Sequence, residues 1–356
     1  MASRPTLSTP LTRLLGIDTP VILAGMNGVS HSELAAAVTN GGGLGVIGGL
    51  TMTPKVLTEE IRELKENLVD KNGKFGVDLA IPQVGGNARK TNHDYTHGHL
   101  PELIDIIVAS GASLFVCAVG VPPRWVVDKL HAGGVVVANM VGHPQHVGKA
   151  LKAGVDMIIA QGTEAGGHTG DVSTMPLIPQ CVDLVRGHTS PINGQPVQVV
   201  AAGGIYDGRG VAAALSLGAT GVWVGTRFIC AEESAAGPKH QNAVLKAQST
   251  DTTRTLIYSG RPLRVYNSPY VADWNGNKMD KIKELTGKGI IPAAWDRKRI
   301  MDAGEEFDVM GWLPDLMGQC AGAIHDIKPA AEIISDMMEV ACKILSGNAA
   351  LVSSRL

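Results

Sequence analysis

Charge imbalance, long apolar runs and abundant aromatic residues are all missing from this sequence. Lysines and arginines number 31 against 33 aspartates and glutamates, so the formal charge is −2, and no basic stripe stands out. A nucleic-acid partner is therefore not expected. No apolar run approaches the ~18 residues of a membrane helix, and the first ten residues lack a signal-peptide core. We expect a cytoplasmic protein without a membrane partner.

Cysteine patterns that bind zinc or build disulfide frameworks are lacking as well. The five cysteines are odd in number and share no CxxC spacing, which predicts reduced thiols. His93, His97 and His99 lie in one polar stretch, but no cysteine or second cluster completes a site, so we expect no metal centre. Apolar residues make up 44% of the 356 residues although aromatics make up 4%. The composition predicts a globular protein with an ample core.

Short apolar runs alternate with helix-like segments along the first two thirds of the chain. Such alternation predicts parallel strands with right-handed crossovers. Eight units within roughly 230 residues favour a closed (β/α)8 TIM barrel over an open doubly wound sheet. Residues 41–45 also lack the GxGxxG spacing of a dinucleotide fold. The eight runs lie at residues 21–26, 43–49, 75–81, 113–120, 135–140, 157–161, 197–204 and 221–226.

The alternation stops after the eighth run. We expect residues 1–226 to form the barrel and 227–323 to form a loop-rich insertion, a lid or cap at the barrel mouth. Residues 324–356 are expected to form a C-terminal helix that packs on the barrel, followed by a flexible tail. The last three residues read SRL, a variant of the peroxisomal SKL address, so in a eukaryote we expect a peroxisomal protein. An accidental match at a frayed helix end is the alternative.

A glycine-rich loop follows the sixth run and carries the strongest candidate for chemistry. Residues 164–170 read EAGGHTG, and the carboxyl ends of parallel strands are where such folds bind ligands. His168 is the one side chain of this loop whose ordinary pKa lies near neutrality, so it is the candidate catalytic base. The alternative is a flexible turn in which His168 only caps a helix.

Two further glycine-containing loops follow the seventh and eighth runs. In barrels these two loops commonly cradle a phosphate with backbone N–H groups. Gly203 and Gly204 would let the backbone approach the phosphate, while Gly225 and Thr226 would supply N–H groups and a hydroxyl. Tight strand-to-helix turns that simply need glycine are the alternative.

These motifs together resemble the nitronate monooxygenase family, formerly called 2-nitropropane dioxygenase. The resemblance rests on EAGGHTG at 164–170, AAGGIYDGRG at 201–210, GVWVGTRF at 221–228 and ILAGMNG at 22–28. The same motifs are similar to those of the FMN-dependent enoyl-acyl-carrier-protein reductases. The resemblance implies an FMN-binding barrel with His168 beside the reactive face of the flavin. It places the following residues against FMN: Met26, Gln161, Gly166, Gly204, Trp223, Val224, Gly225 and Thr226.

One residue departs from the family pattern. The family usually has asparagine in a GVNL motif after the third strand, where this chain has Asp78 in GVDL. The resemblance places Asp78 among the cofactor-binding residues, near the N3–O4 edge of the flavin. A carboxylate there would change the hydrogen bonding and disfavour an anionic flavin.

The resemblance implies oxidation of alkyl nitronates or nitroalkanes by FMN and O₂, which releases a carbonyl compound and nitrite. His168 would remove the α-proton of a nitroalkane or hold the nitronate by hydrogen bonding. An NAD(P)H-dependent quinone or enoyl-thioester reductase on the same barrel is the alternative. A flavin-binding protein without catalysis is disfavoured, because a mere binder needs no titratable His168. The expected partners are a small-molecule substrate and O₂, and a homodimer stays open.

Overall fold

The computed structural model describes residues 6–348 and residue 351, so the SRL tripeptide lies outside the described residues. Eight parallel strands form the central sheet. They are β1 (Val21–Leu23), β2 (Gly45–Gly48), β3 (Phe75–Ala80), β4 (Leu114–Ala118), β5 (Val136–Val141), β6 (Met157–Gln161), β8 (Gln198–Ala202) and β9 (Gly221–Val224). A second, three-stranded sheet consists of β7 (Gly167–His168), β10 (Thr252–Thr255) and β11 (Leu263–Tyr266).

The central sheet closes into a barrel. Its strand order is β1-β9-β8-β6-β5-β4-β3-β2. The two ends meet through a parallel bridge between Ile22 and Leu44, where the Leu23 N–H donates to the Leu44 carbonyl at 2.9 Å. Closure leaves no open sheet edge and brings every carboxyl end to one rim. The predicted (β/α)8 TIM barrel is confirmed.

Helices separate the barrel strands and continue through the rest of the chain. Those before the end of β9 are α1 (Pro10–Leu15), α2 (Ser32–Asn40), α3 (Pro54–Asn67), α4 (Leu100–Ala109), α5 (Arg124–Ala132), α6 (Val147–Ala153), α7 (Thr174–Val185) and α8 (Gly208–Ser216). The later ones are α9 (Thr226–Ile229), α10 (Pro238–Lys246), α11 (Pro269–Asn277), α12 (Met279–Gly287), α13 (Pro292–Asp302), α14 (Val309–Trp312) and α15 (Ala330–Asn348). Short 3₁₀ turns lie at Pro144–His146, Ser249–Asp251 and Gln319–Ala323.

Side-chain alternation along each strand fills two separate cores. One set points into the barrel, where Val46, Val116 and Ile159 belong to a single buried cluster with Leu11 of α1. Their strand neighbours point outward and pack beneath the helices. Because both faces of the sheet are buried, the strands read as nearly continuous apolar runs. For this reason the strands are recognisable in the sequence as apolar runs, although they lack an alternation of apolar and polar residues.

The insertion and the C-terminal helix use different packing surfaces. The insertion has its own buried cluster, centred on Trp274 and Val265. Helix α15 lies against α8 so closely that a Cβ at Gly208 would come within 2.4 Å of the Met337 carbonyl oxygen. The predicted C-terminal helix is confirmed. No helix among the described residues combines the length and apolar character needed to cross a membrane.

Candidate active site

A cavity of about 1210 Å³ opens at the carboxyl ends of the barrel strands. It brings together residues from the loops after all eight barrel strands and from the insertion. Val224 alone among the predicted site residues is absent from its wall, because its side chain is buried in the outer core. The predicted residues that line the cavity are Met26, Asp78, Gln161, Gly166, His168, Gly203, Gly204, Trp223, Gly225 and Thr226.

The glycine-rich loop is fixed by close backbone packing on two sides. A Cβ at Gly166 would lie 2.7 Å from the carbonyl carbon of Met317, and one at Gly170 would lie 2.0 Å from the Gly142 carbonyl oxygen. Glu164 anchors the start of the loop, since its carboxylate accepts hydrogen bonds from the N–H and the hydroxyl of Thr174 at the start of α7. The glycines here are needed because neighbouring backbone leaves no room for a side chain.

A short strand within this loop pairs with the insertion. His168 lies opposite Leu263, and Gly167 opposite Arg264, in an antiparallel ladder. Arg264 adds a second link between the loop and the insertion, because its Nε donates to the Thr163 carbonyl at 2.9 Å. The candidate catalytic histidine therefore sits on a two-stranded junction between barrel and insertion.

His168 is held in an environment that keeps its imidazole neutral. Its Nε2 lies 2.8 Å from the hydroxyl oxygen of Ser259, within hydrogen-bond distance. Burial, and after it the positive charge of Arg261, lowers the pKa of His168 to about 4. Near neutral pH the imidazole is therefore uncharged, with its orientation set by Ser259.

Arg261 brings a cation to the same part of the cavity. Its Nε donates to the side-chain oxygen of Asn92 at 3.1 Å. Burial, then the charge of Arg89, lowers the pKa of Arg261 below its usual value. Within the described part of the chain no carboxylate forms a salt bridge with it. The remaining guanidinium N–H groups are available to an anion.

The two predicted phosphate loops present backbone N–H donors that no described residue accepts from. Gly203 and Gly204 adopt positive φ angles of 96° and 74°. The N–H groups of Gly203, Gly204 and Gly225 have no protein acceptor among the described residues. Helix α8 does not contribute its N-terminus, because the Asp207 side chain already accepts from the N–H groups of Arg209 and Gly210.

Asp78 is a carboxyl group buried at the cavity wall without a protein partner. Its side chain makes no hydrogen bond to the described residues, and its Oδ1 is a buried polar atom without a partner. A Cβ at Gly25 would lie 2.4 Å from the Asp78 Cβ, so glycine is required there. Burial raises the pKa of Asp78 to about 8, and at neutral pH the group is mostly a neutral acid.

The outer part of the cavity carries a second set of cations. Lys149 and Lys152 of α6 and Arg89 from the loop after β3 line the opening and are exposed. None of the three forms a salt bridge with a carboxylate in the residues that the structure covers. The opening therefore carries net positive potential, although the whole chain has a formal charge of −2.

Ser259 and Arg261 are the site residues that sequence reasoning missed. Both lie in the insertion, which the sequence placed at the barrel mouth without assigning roles to its residues. The density of arginine and tyrosine at 261–270 was the available signal for Arg261. Nothing in the sequence around Ser259 indicates its contact with His168, because the two lie 91 residues apart.

Comparison with known proteins agrees with the geometry. The family model described as nitronate monooxygenase matches residues 8–339. The (3aS,4S,5R,7aS)-5-hydroxy-7a-methyl-1-oxo-octahydro-1H-indene-4-carboxyl-CoA dehydrogenase of Rhodococcus jostii is 38% identical over 79% of this chain and 75% of its own length.

Two solved structures share the fold and much of the length. FabK from Thermotoga maritima has a TM-score of 0.77 at 28% identity, covering 97% of this chain and 100% of that chain. The nitroalkane oxidase of Streptomyces ansochromogenes has a TM-score of 0.76 at 25% identity, covering 96% and 99%. The chain belongs to the nitronate monooxygenase family and is an FMN-type oxidoreductase.

Proposed function

We propose that this protein binds FMN in the barrel cavity and uses O₂ to oxidise alkyl nitronates to a carbonyl compound and nitrite. The observation that carries the proposal is an Arg261 guanidinium, without a carboxylate partner among the described residues, beside a neutral His168 in one cavity. A nitronate is a small anion, and such a pair offers it a positive charge together with a neutral hydrogen-bonding group.

The proposed FMN position rests on the unused donors of the cavity. The N–H groups of Gly203, Gly204 and Gly225 would bind the phosphate, and the hydroxyl of Thr226 lies next to them. Trp223 is 5% exposed and lines the cavity from within the barrel, where a flat ring would contact it. The bound flavin would supply the electron transfer to O₂, and the protein would supply orientation and electrostatics.

His168 fits an orienting role better than a basic one. A general base works best when its pKa lies near the operating pH, whereas burial and the charge of Arg261 together lower the pKa of His168 to about 4. Its weak basicity matches a substrate that has already lost its proton. We therefore propose the nitronate, rather than the neutral nitroalkane, as the form that is oxidised.

The cationic opening supports a second candidate, an NAD(P)H-dependent reduction of an enoyl thioester. Lys149, Lys152 and Arg89 lie at the rim of a cavity of about 1210 Å³, which is large for FMN plus a small nitronate. A coenzyme A thioester carries phosphates that would reach this rim while the acyl group lies inside. The similar Rhodococcus protein is named as a carboxyl-CoA dehydrogenase.

The first prediction concerns the cofactor. The purified protein should contain about one FMN per chain, and Gly204→Ala should raise the Kd for FMN by about tenfold or more, because a side chain there obstructs the phosphate. Gly194→Ala is the matched control, since its φ is also positive, at 69°, and its added Cβ meets nothing within 4 Å. Flavin release by boiling, followed by chromatography, and fluorescence titration measure both quantities. Release of FAD, or equal loss of affinity in both variants, would contradict the proposed site.

The second prediction separates orientation from base catalysis. His168→Ala should lower kcat/KM by about 10²-fold on pre-formed nitronate, because a misplaced substrate costs that order of rate. The same factor is expected when the neutral nitroalkane is supplied, since the form oxidised is then the nitronate in equilibrium with it. Oxygen uptake measures the rates, and exposed His188→Ala is the control. Between pH 5 and 8 the wild type should show no ionisation from His168, which gains its proton only as pH falls through about 4. A loss confined to the neutral nitroalkane would identify His168 as the base instead.

The third prediction tests the anion site directly. Arg261→Gln should raise KM for the nitronate by about 10- to 100-fold, the effect of losing a hydrogen bond to a charged group, with a smaller change in kcat. Arg254→Gln is the matched control, because Arg254 also lines the cavity but its guanidinium is paired with Asp171. Steady-state oxygen uptake at several nitronate concentrations gives both constants. An unchanged KM in Arg261→Gln would remove the guanidinium from the substrate site.

The fourth prediction distinguishes the thioester candidate. If thioesters are substrates, NADH should be consumed without O₂ in the presence of crotonyl-CoA. The double variant Lys149→Ala/Lys152→Ala should then raise KM for crotonyl-CoA by about tenfold and weaken its salt dependence. Lys246→Ala, an exposed lysine outside the cavity, is the control. No anaerobic NADH consumption with crotonyl-CoA would count against this candidate and leave the nitronate reaction standing.

A further inference from the structure

Asp78 is the one carboxyl group that the barrel holds within its interior wall without any hydrogen bond from the described protein. Its β3 backbone lies opposite Gly48 of β2, which has no side chain, and Val116 of β4, whose side chain has no donor. Its Oδ1 has no partner among the residues that the structure describes, while the residue faces the cavity that would hold FMN. A buried polar group without a partner is costly, so the ligand is the natural source of that partner.

Nothing charged from the surrounding elements stabilises an Asp78 carboxylate. The segment after β1 presents Gly25 and β2 presents Gly48, which have no side chain to titrate. Strand β4 presents the Cys117 thiol, whose pKa is raised by burial first and by Asp78 second. Arg261 and His168 do not contribute to the pKa of Asp78, whose shift has burial as its single cause.

We propose that Asp78 binds the cofactor as a neutral carboxylic acid, donating a hydrogen bond to an acceptor atom of the flavin ring, so that FMN retention depends on its proton. This inference rests on FMN being the bound cofactor. A carboxylic acid kept neutral by apolar surroundings can serve as a donor near neutral pH. An asparagine at position 78 would donate through its amide at every pH, whereas the aspartate donates only while protonated. The affinity of this chain for FMN would therefore depend on the proton of Asp78.

The proton of Asp78 favours FMN binding, so the affinity for FMN falls as pH rises. In the ligand-free protein Asp78 keeps its proton below a pKa of about 8. As pH rises above that value, binding must first return the proton, and the Kd for FMN increases by about tenfold for each pH unit. Ionisation of the FMN phosphate affects every variant alike and does not distinguish them.

The experiment is a fluorescence titration of flavin-free protein with FMN between pH 6 and 9.5. We expect the wild-type Kd to be constant up to about pH 7 and to rise towards tenfold per unit above pH 8, whereas Asp78→Asn stays level. Asp171→Asn is the control and follows the wild type, because its exposed carboxylate lines the same cavity but pairs with Arg254.

Each other outcome has a separate meaning. A wild-type Kd that is level to pH 9.5 overturns the inference by itself, whether or not Asp78→Asn folds. The same rise in Asp78→Asn also overturns it, by assigning the proton to another group. Absence of FMN binding in every variant at pH 6 overturns the cofactor proposal and this inference together, whereas binding with the wrong pH dependence overturns only the inference.

Discussion

The short ladder between β7 and β11 is the interaction on which the active-site geometry depends. Two residue pairs, His168 with Leu263 and Gly167 with Arg264, join the loop after β6 to the insertion. Through that ladder Ser259 and Arg261 reach His168, although each belongs to a segment that starts after the barrel is complete. The barrel alone would present a histidine on a glycine loop, with neither its hydrogen-bond partner nor the neighbouring cation.

Barrel closure explains why the cavity contains so many polar groups without partners. Parallel strands end at one rim, and their last backbone groups have no further strand to bond. At this rim the N–H groups of Gly203, Gly204 and Gly225 lack protein acceptors in the region the structure describes, and Asp78 lacks a donor. Each buried unsatisfied group costs stability. A ligand with a phosphate at one end and hydrogen-bonding ring atoms at the other would recover that cost.

The sequence predicts the elements that depend on a local residue pattern. It does not predict contacts between residues that are far apart in the chain. Eight apolar runs with polar ends predict the barrel, and the strand-end rule then predicts that His168, Asp78 and Gly203 share one rim. The side to which Val224 points depends on strand register, which a short apolar run does not reveal. The Ser259 contact spans 91 residues and depends on how the insertion folds back, so no local pattern contains it.

The charge of each side chain in this cavity depends on how deeply it is buried, because burial removes the water that stabilises a charged group. At the opening Lys149 and Lys152 are exposed, so water solvates their amino groups. Arg261, partly buried, keeps its charge with a lowered pKa, while the more enclosed His168 and Asp78 are shifted to their neutral forms. Because burial disfavours whichever form is charged, it removes a positive charge from the histidine and a negative charge from the aspartate. An incoming anion would thus be attracted at the rim, would pair once with Arg261, and would meet no fixed negative charge on Asp78 while that group keeps its proton.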